Sequence, residues 1–107
     1  MNRRIVTQDE AAQDRDDIAD YIAEDSPGAS VRFLKAVRKA LKQIAAMPGI
    51  GSLRDFNNPA LFGLRVVLVP GFRNYGIYYL TTSDAVIILR VLHGARDLDA
   101  IFSSADE

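Results

Sequence analysis

The sequence contains no cysteine and only one histidine in 107 residues. The lack of thiols excludes disulfide bonds and thiolate chemistry. One histidine without any cysteine argues against a transition-metal site built by a single chain. We therefore expect neither a metal nor any other cofactor.

Long apolar segments are also missing. No run approaches the roughly 20 apolar residues that a helix needs to span a bilayer. The N-terminal residues Met1–Val6 include two arginines but no apolar core of a signal peptide. We expect a cytoplasmic protein with no membrane partner.

Neither sign of charge is in large excess, since 13 basic and 14 acidic side chains give a net charge of −1. Proteins that bind nucleic acid usually carry a clear positive excess, because phosphate contacts dominate their affinity. We therefore do not expect this chain to bind nucleic acid by itself. Its charges are nevertheless unevenly distributed along the sequence.

A chain of this length predicts one domain, residues 1–107. Arg4–Thr7 is strand-like, and apolar residues at helical spacing predict a first helix from Asp9 to about Glu24. Ser26 and Pro27 suit the cap and first turn of a second helix that ends near Met47. The first helix is strongly acidic and the second strongly basic, and their short connection predicts an antiparallel hairpin.

The second half of the chain has the composition of a strand meander. Three strands are predicted, separated by turns, after a loop and before a short helix and a frayed tail. These segments are the loop 48–63, the strands 64–69, 75–80 and 85–93, a short helix capped by Asp97 that runs through Phe102, and the tail Ser103–Glu107. The last strand is apolar on both faces, which predicts a central position. The order β-α-α-β-β-β predicts an α+β fold, with an antiparallel sheet and the helical hairpin packed on one face.

The sheet half contains arginine as its only basic residue besides the single histidine. Its five arginines are Arg54, Arg65, Arg73, Arg90 and Arg96. Arg65 and Arg90 lie within apolar strands, where an unpaired charge is costly. Either each faces solvent or an acid, or both lie on the sheet face away from the helices as a cationic patch. His93 is either bonded to the adjacent loop or a general base, since histidine is the side-chain type whose charge changes near neutral pH.

Several segments, in this order, resemble the ParE/RelE family of toxins from type II toxin–antitoxin systems. They are Ala11–Asp14 with Ile18 and Tyr21–Ile22, Ser26–Pro27 with Phe33, Met47–Gly51, Arg65 with Tyr75–Tyr79, and Arg90–Asp97. The resemblance implies the fold described above. It also implies a cognate antitoxin, expected to be ParD-like with a ribbon-helix-helix domain, in a hetero-oligomer with the toxin. The antitoxin would bind the basic face of the second helix, at Arg32, Lys35, Lys39 and Lys42.

Within this family, ParE-like members bind DNA gyrase, whereas RelE-like members cleave mRNA on the ribosome. Such cleavage needs cations and a proton donor. RelE-like members supply them with clustered lysines and arginines and with a tyrosine or histidine near the C-terminus. Here the corresponding position holds Ile101–Phe102, which cannot transfer a proton. The resemblance therefore favours a ParE-like gyrase inhibitor without catalytic residues. Its target-binding residues would be Arg65, Arg73, Arg90, His93 and Arg96.

Two alternatives remain open at the level of sequence. A ribosome-dependent endoribonuclease would need His93, Arg65 and Arg90 to converge on one cleft. An inactive or purely structural member of the fold would need none of these groups.

Overall fold

A mixed five-stranded sheet carries a helical hairpin on one face and a short helix on the other, in a computed structural model that describes residues 2–103. The strands are β1 (Arg4–Thr7), β2 (Ser52–Leu53), β3 (Arg65–Val69), β4 (Phe72–Thr81) and β5 (Ala85–His93). The helices are α1 (Asp9–Asp25), α2 (Pro27–Ala46) and α3 (Leu98–Phe102), and 3₁₀ turns occur at Pro48–Ile50 and Pro59–Leu61. The predicted α+β architecture is confirmed.

The strand order is β1-β5-β4-β3-β2, and it corrects the sequence prediction in two respects. First, the sheet is not wholly antiparallel, because β1 pairs with β5 in parallel. The helices and the rest of the meander separate these strands in the sequence, so no tight turn imposes the antiparallel orientation. Second, the predicted loop contains β2, which is too short to show a two-residue alternation. The predicted tail lies outside the described residues beyond Ser103.

The helical hairpin follows from the chemistry at Ser26. The Ser26 hydroxyl accepts a hydrogen bond from the backbone N–H of Ala29 at 3.1 Å, and Pro27 occupies the first turn of α2. Four residues later, the Ser30 hydroxyl donates to the carbonyl of Ala19 in α1 at 2.6 Å. The two helices therefore approach closely at a small residue, as the alanine-rich sequence of α1 allows.

The sheet has a core on each face. Toward α1 and α2, the buried side chains include Phe33, Ile44 and Ile88. On the opposite face, Tyr78 and Leu92 pack with the loop after β2 and with α3. The predicted central position of β5 is confirmed, because it pairs with strands on both sides and contributes residues to both cores.

A junction of two hydrogen bonds, both made by the Tyr79 hydroxyl, connects the turn after α2 to the middle of the sheet. The Tyr79 hydroxyl donates to the carbonyl of Pro48 at 2.7 Å and accepts from the N–H of Gly51 at 3.0 Å. A Cβ atom at Gly51 would lie 2.6 Å from that hydroxyl and 2.9 Å from the carbonyl oxygen of Val66. Since one of these contacts is with backbone, a side chain at position 51 would force the backbone to shift.

We predict that Gly51→Ala lowers the free energy of unfolding by about 1–3 kcal/mol, the range typical of overpacked sites. The matched control is Gly49→Ala, because a Cβ atom at Gly49 meets nothing within 4 Å. Urea unfolding followed by circular dichroism measures both variants. Equal midpoints for the two variants would contradict the proposed role of this junction.

Candidate functional site

His93 ends β5 and is held by its own loop. Its Nδ1 atom accepts a hydrogen bond from the backbone N–H of Ala95 at 2.9 Å. Its ring packs edge-on against Tyr75, with 5.0 Å between ring centroids. Because Nδ1 is the acceptor, a neutral imidazole in this arrangement carries its proton on Nε2. The loop-bonded interpretation of His93 is therefore confirmed.

A groove on the α3 side of the sheet brings His93 and Arg73 together. We call it the Arg73–His93 groove. It encloses about 350 Å³, and its walls include Arg54, Asn74 and Tyr78. No carboxylate of residues 2–103 lines this groove. Among residues 2–103, Arg73 has no acidic side chain within 4.0 Å, and it is exposed. The groove is therefore electropositive.

The phenol of Tyr78 lines this groove and is buried. Burial raises the pKa of Tyr78 above its ordinary value, and the nearby Arg54 guanidinium only partly offsets that effect. Arg54 itself is exposed and lies 5.1 Å from the centre of the Phe56 ring. Arg54 and Tyr78 both contribute to a groove that is suited to negatively charged groups.

A second groove lies on the other side of His93, against α1. It encloses about 400 Å³, and we call it the Tyr21–His93 groove. Arg96 lines this groove together with Asp17 and Tyr75. Burial, followed by the nearby Tyr21, raises the pKa of the Tyr75 phenol. His93 is thus shared by two grooves, while Arg73 and Arg96 line different ones.

Arg90 is occupied by an internal acid. Its Nε and one terminal nitrogen donate to the two carboxylate oxygens of Asp14 at 2.7 and 3.0 Å. The two side chains are 21% and 14% exposed. The Asp14 hydrogen bond is the main cause that raises the pKa of Arg90. The interpretation in which Arg90 faces an acid is therefore confirmed.

Arg65 is bound to backbone carbonyls at the end of α2. One of its terminal nitrogens donates to the carbonyl oxygens of Gly51 at 2.6 Å and Gly49 at 3.2 Å. Arg65, His93 and Arg90 do not line one common groove among residues 2–103. The single cationic patch of the sequence interpretation is thus divided between separate surfaces. A part for Arg65 and Arg90 in target binding stays a prediction.

Sequence reasoning did not assign Arg54, Asn74 or Tyr78 to the site. The signal for Arg54 was present, since it belongs to the arginine-only set of the sheet half. Arg54 lies in a loop, where no regular spacing of residues indicates which way its side chain points.

The basic face of α2 is a separate exposed surface. Its four predicted antitoxin-binding residues are Arg32, Lys35, Lys39 and Lys42, and all are exposed. Within residues 2–103, none of them has an acidic partner within 4.0 Å. Their charges are therefore available to a partner. No helix in this part of the chain is both long and apolar enough to cross a membrane.

Comparison with known proteins identifies the family. The model of the ParE toxin of the type II toxin–antitoxin system, parDE, matches residues 5–98. The chain belongs to this family. A solved structure described as the chromosomal ParDE toxin–antitoxin system from P. aeruginosa has the same fold, with a TM-score of 0.68 and 18% identity. The alignment covers 85% of this chain and 95% of that one. A search of curated proteins found no match.

We predict that Asp14→Ala lowers the free energy of unfolding by about 2–4 kcal/mol, because it leaves a mostly buried guanidinium unpaired. The control is Asp16→Ala, since Asp16 pairs with Arg15 but is 58% exposed. That change should have an effect below about 1 kcal/mol. Replacing Arg90 with Met in the Asp14→Ala background should recover part of the loss. Similar thermal midpoints for the two single variants would contradict this prediction.

Proposed function

We propose that this chain is the toxin of a type II toxin–antitoxin pair and that it inhibits DNA gyrase by binding it, without cleaving bonds. Membership of the ParE toxin family supports the toxin role. The observation that carries the binding mechanism is the Arg73–His93 groove, which presents cations and is lined by no carboxylate of the described residues 2–103. In this proposal the toxin acts in the cytoplasm and stops growth when its antitoxin is missing.

The surroundings of His93 favour binding over catalysis. Its Nδ1 is already occupied by the loop. At the C-terminal end, Phe102 is buried between Phe56 and Tyr78, with ring centroids 5.0 and 4.9 Å away. That position thus contributes to the core and supplies no proton donor. General acid–base cleavage needs a base and an acid placed on opposite sides of the reacting group.

Arg73 is the group best placed to contact a target. It is exposed, and its planar guanidinium can form two parallel hydrogen bonds with a carboxylate or phosphate. Arginine is also enriched among the residues that dominate protein interfaces. We therefore assign the principal target contact to Arg73, with His93 and Arg96 beside it.

The antitoxin occupies a different surface in this proposal. The exposed basic face of α2 suits an acidic segment that folds as it binds. A ParD-like antitoxin with a ribbon-helix-helix domain would supply this segment and form a hetero-oligomer with the toxin. Target and antitoxin would then contact different side chains.

We predict that the purified chain inhibits supercoiling by gyrase and that Arg73→Ala weakens inhibition at least about tenfold, as expected for an interfacial arginine. Lys39→Ala is the control and should inhibit like the original chain, because Lys39 lies on the helical surface. An agarose-gel supercoiling assay measures all three proteins. Cleavage of mRNA on ribosomes by a chain that leaves supercoiling untouched would refute the proposed mechanism.

We predict that the double change Lys35→Glu and Lys39→Glu weakens antitoxin binding at least about tenfold at low salt. The introduced glutamates would face the acidic segment of the antitoxin and repel it. The difference should shrink as salt is added. The control carries Arg73→Glu and Arg96→Glu, an equal change of charge on the target surface. Calorimetric titration with the antitoxin encoded by the neighbouring reading frame gives the affinities. Equal weakening by both double variants would contradict separate surfaces.

A further inference from the structure

Exposed apolar side chains are concentrated between α2 and β3. Phe62 is 92% exposed and Leu53 is 63% exposed, and Met47 and Ile50 also face solvent. Leu53, Leu61 and Phe62 line a concavity of about 730 Å³. Such a concentration beside a cleft is typical of an interaction site.

The loop that presents Phe62 is held firmly. The Asp55 carboxylate accepts from the N–H of Asn57 at 2.9 Å, and the Asn58 side-chain oxygen accepts from the N–H of Ala60 at 3.1 Å. The Asn58 amide nitrogen also donates to the carbonyl of Phe102 in α3 at 2.9 Å. Phe62 is thus displayed by an ordered loop, so a ligand need not order it on binding.

The strand beside this loop has an unpaired edge. β2 is the last strand in the sheet, and the N–H of Arg54 donates inward to the carbonyl of Leu64 at 2.9 Å. Because backbone groups alternate in direction along an antiparallel strand, the N–H and C=O of Leu53 point away from β3. An edge of this kind accepts an added strand from a partner.

The charges around the cleft select a class of partner. Within the described part of the chain, residues 2–103, Arg54 and Arg65 line it against one acid, Asp55. One carboxylate oxygen of Asp55 is already bonded to the N–H of Asn57. Arg54 is exposed, while Arg65 retains guanidinium nitrogens beyond the one bound to carbonyls. The cleft therefore favours carboxylates beside its apolar surface.

We propose that β2 and the loop 54–63 form a docking site for an extended segment of a partner protein in which apolar and acidic residues alternate. The segment adds a strand to β2 through the backbone of Leu53. One of its apolar side chains packs against Phe62, and a neighbouring carboxylate pairs with Arg54. This β2-edge site does not depend on gyrase being the target.

The test uses the complete chain, labelled with ¹⁵N, and a synthetic peptide of about ten alternating leucine and glutamate residues. Addition of the peptide should shift the backbone amide signals of residues 52–54 and 61–65. A matched peptide with lysine in place of glutamate should bind at least about tenfold more weakly, because its charges face Arg54. A third peptide, N-methylated on alternate residues, should bind equally weakly because it cannot form the strand hydrogen bonds.

The decisive variant is Phe62→Ser, which should weaken peptide binding at least about fivefold while leaving the thermal midpoint unchanged, because Phe62 packs on little of the chain. Val31→Ser on α2 is the control, since Val31 is also exposed but lies on another surface. It should bind the peptide like the original chain.

Three outcomes would overturn the proposal. One is a set of shifts confined to the Tyr21–His93 groove or to α2, and another is unchanged binding by Phe62→Ser. The third is self-association of the chain that Phe62→Ser abolishes, because the occupant would then be a second copy of this protein. Sedimentation velocity without peptide distinguishes that case.

Discussion

The carboxylate of Asp14 is the contact on which the geometry of the site depends. Its oxygens accept two hydrogen bonds from the Arg90 guanidinium and one, at 3.0 Å, from the backbone N–H of Val91. β1 ends opposite Ile88, so among residues 2–103 β5 has no strand partner on that side beyond this point. Asp14 supplies the missing acceptor and fixes α1 against the end of β5. The position of α1 in turn forms one wall of the Tyr21–His93 groove.

The same contact decides which cations remain available to a partner. Arg90 is neutralised by Asp14, and Arg65 is bound to two carbonyl oxygens at the end of α2. Arg73 and Arg96 are exposed and have no acidic partner among residues 2–103. The electropositive surface is therefore smaller than the five arginines of the sheet half would indicate. It is centred on the end of β5, where His93 links two grooves.

Local patterns predicted most of the fold. The Ser26–Pro27 cap, the helical spacing of apolar residues and the β-branched strands act within a few residues, so the sequence displays them directly. The parallel pairing of β1 with β5 and the ion pair between Asp14 and Arg90, 76 residues apart, arise only when distant segments meet. The spacing of apolar and polar residues along the sequence does not indicate such contacts. For the same reason, the sequence identified the arginines of the site but could not tell the internal from the external ones.

A difference in burial explains that division. Arg65 and Arg90 belong to strands in the packed part of the sheet, where water is largely excluded and a charge needs a partner inside the protein. Arg73 is the second residue of β4, beside the turn that follows β3, and Arg96 lies beyond the end of β5; both residues are exposed to water. The fold shared by the ParE family places strands and turns similarly, but function depends on the side chains carried there. The exposed cations Arg73 and Arg96 are therefore a better guide to what this chain binds than Arg65 and Arg90.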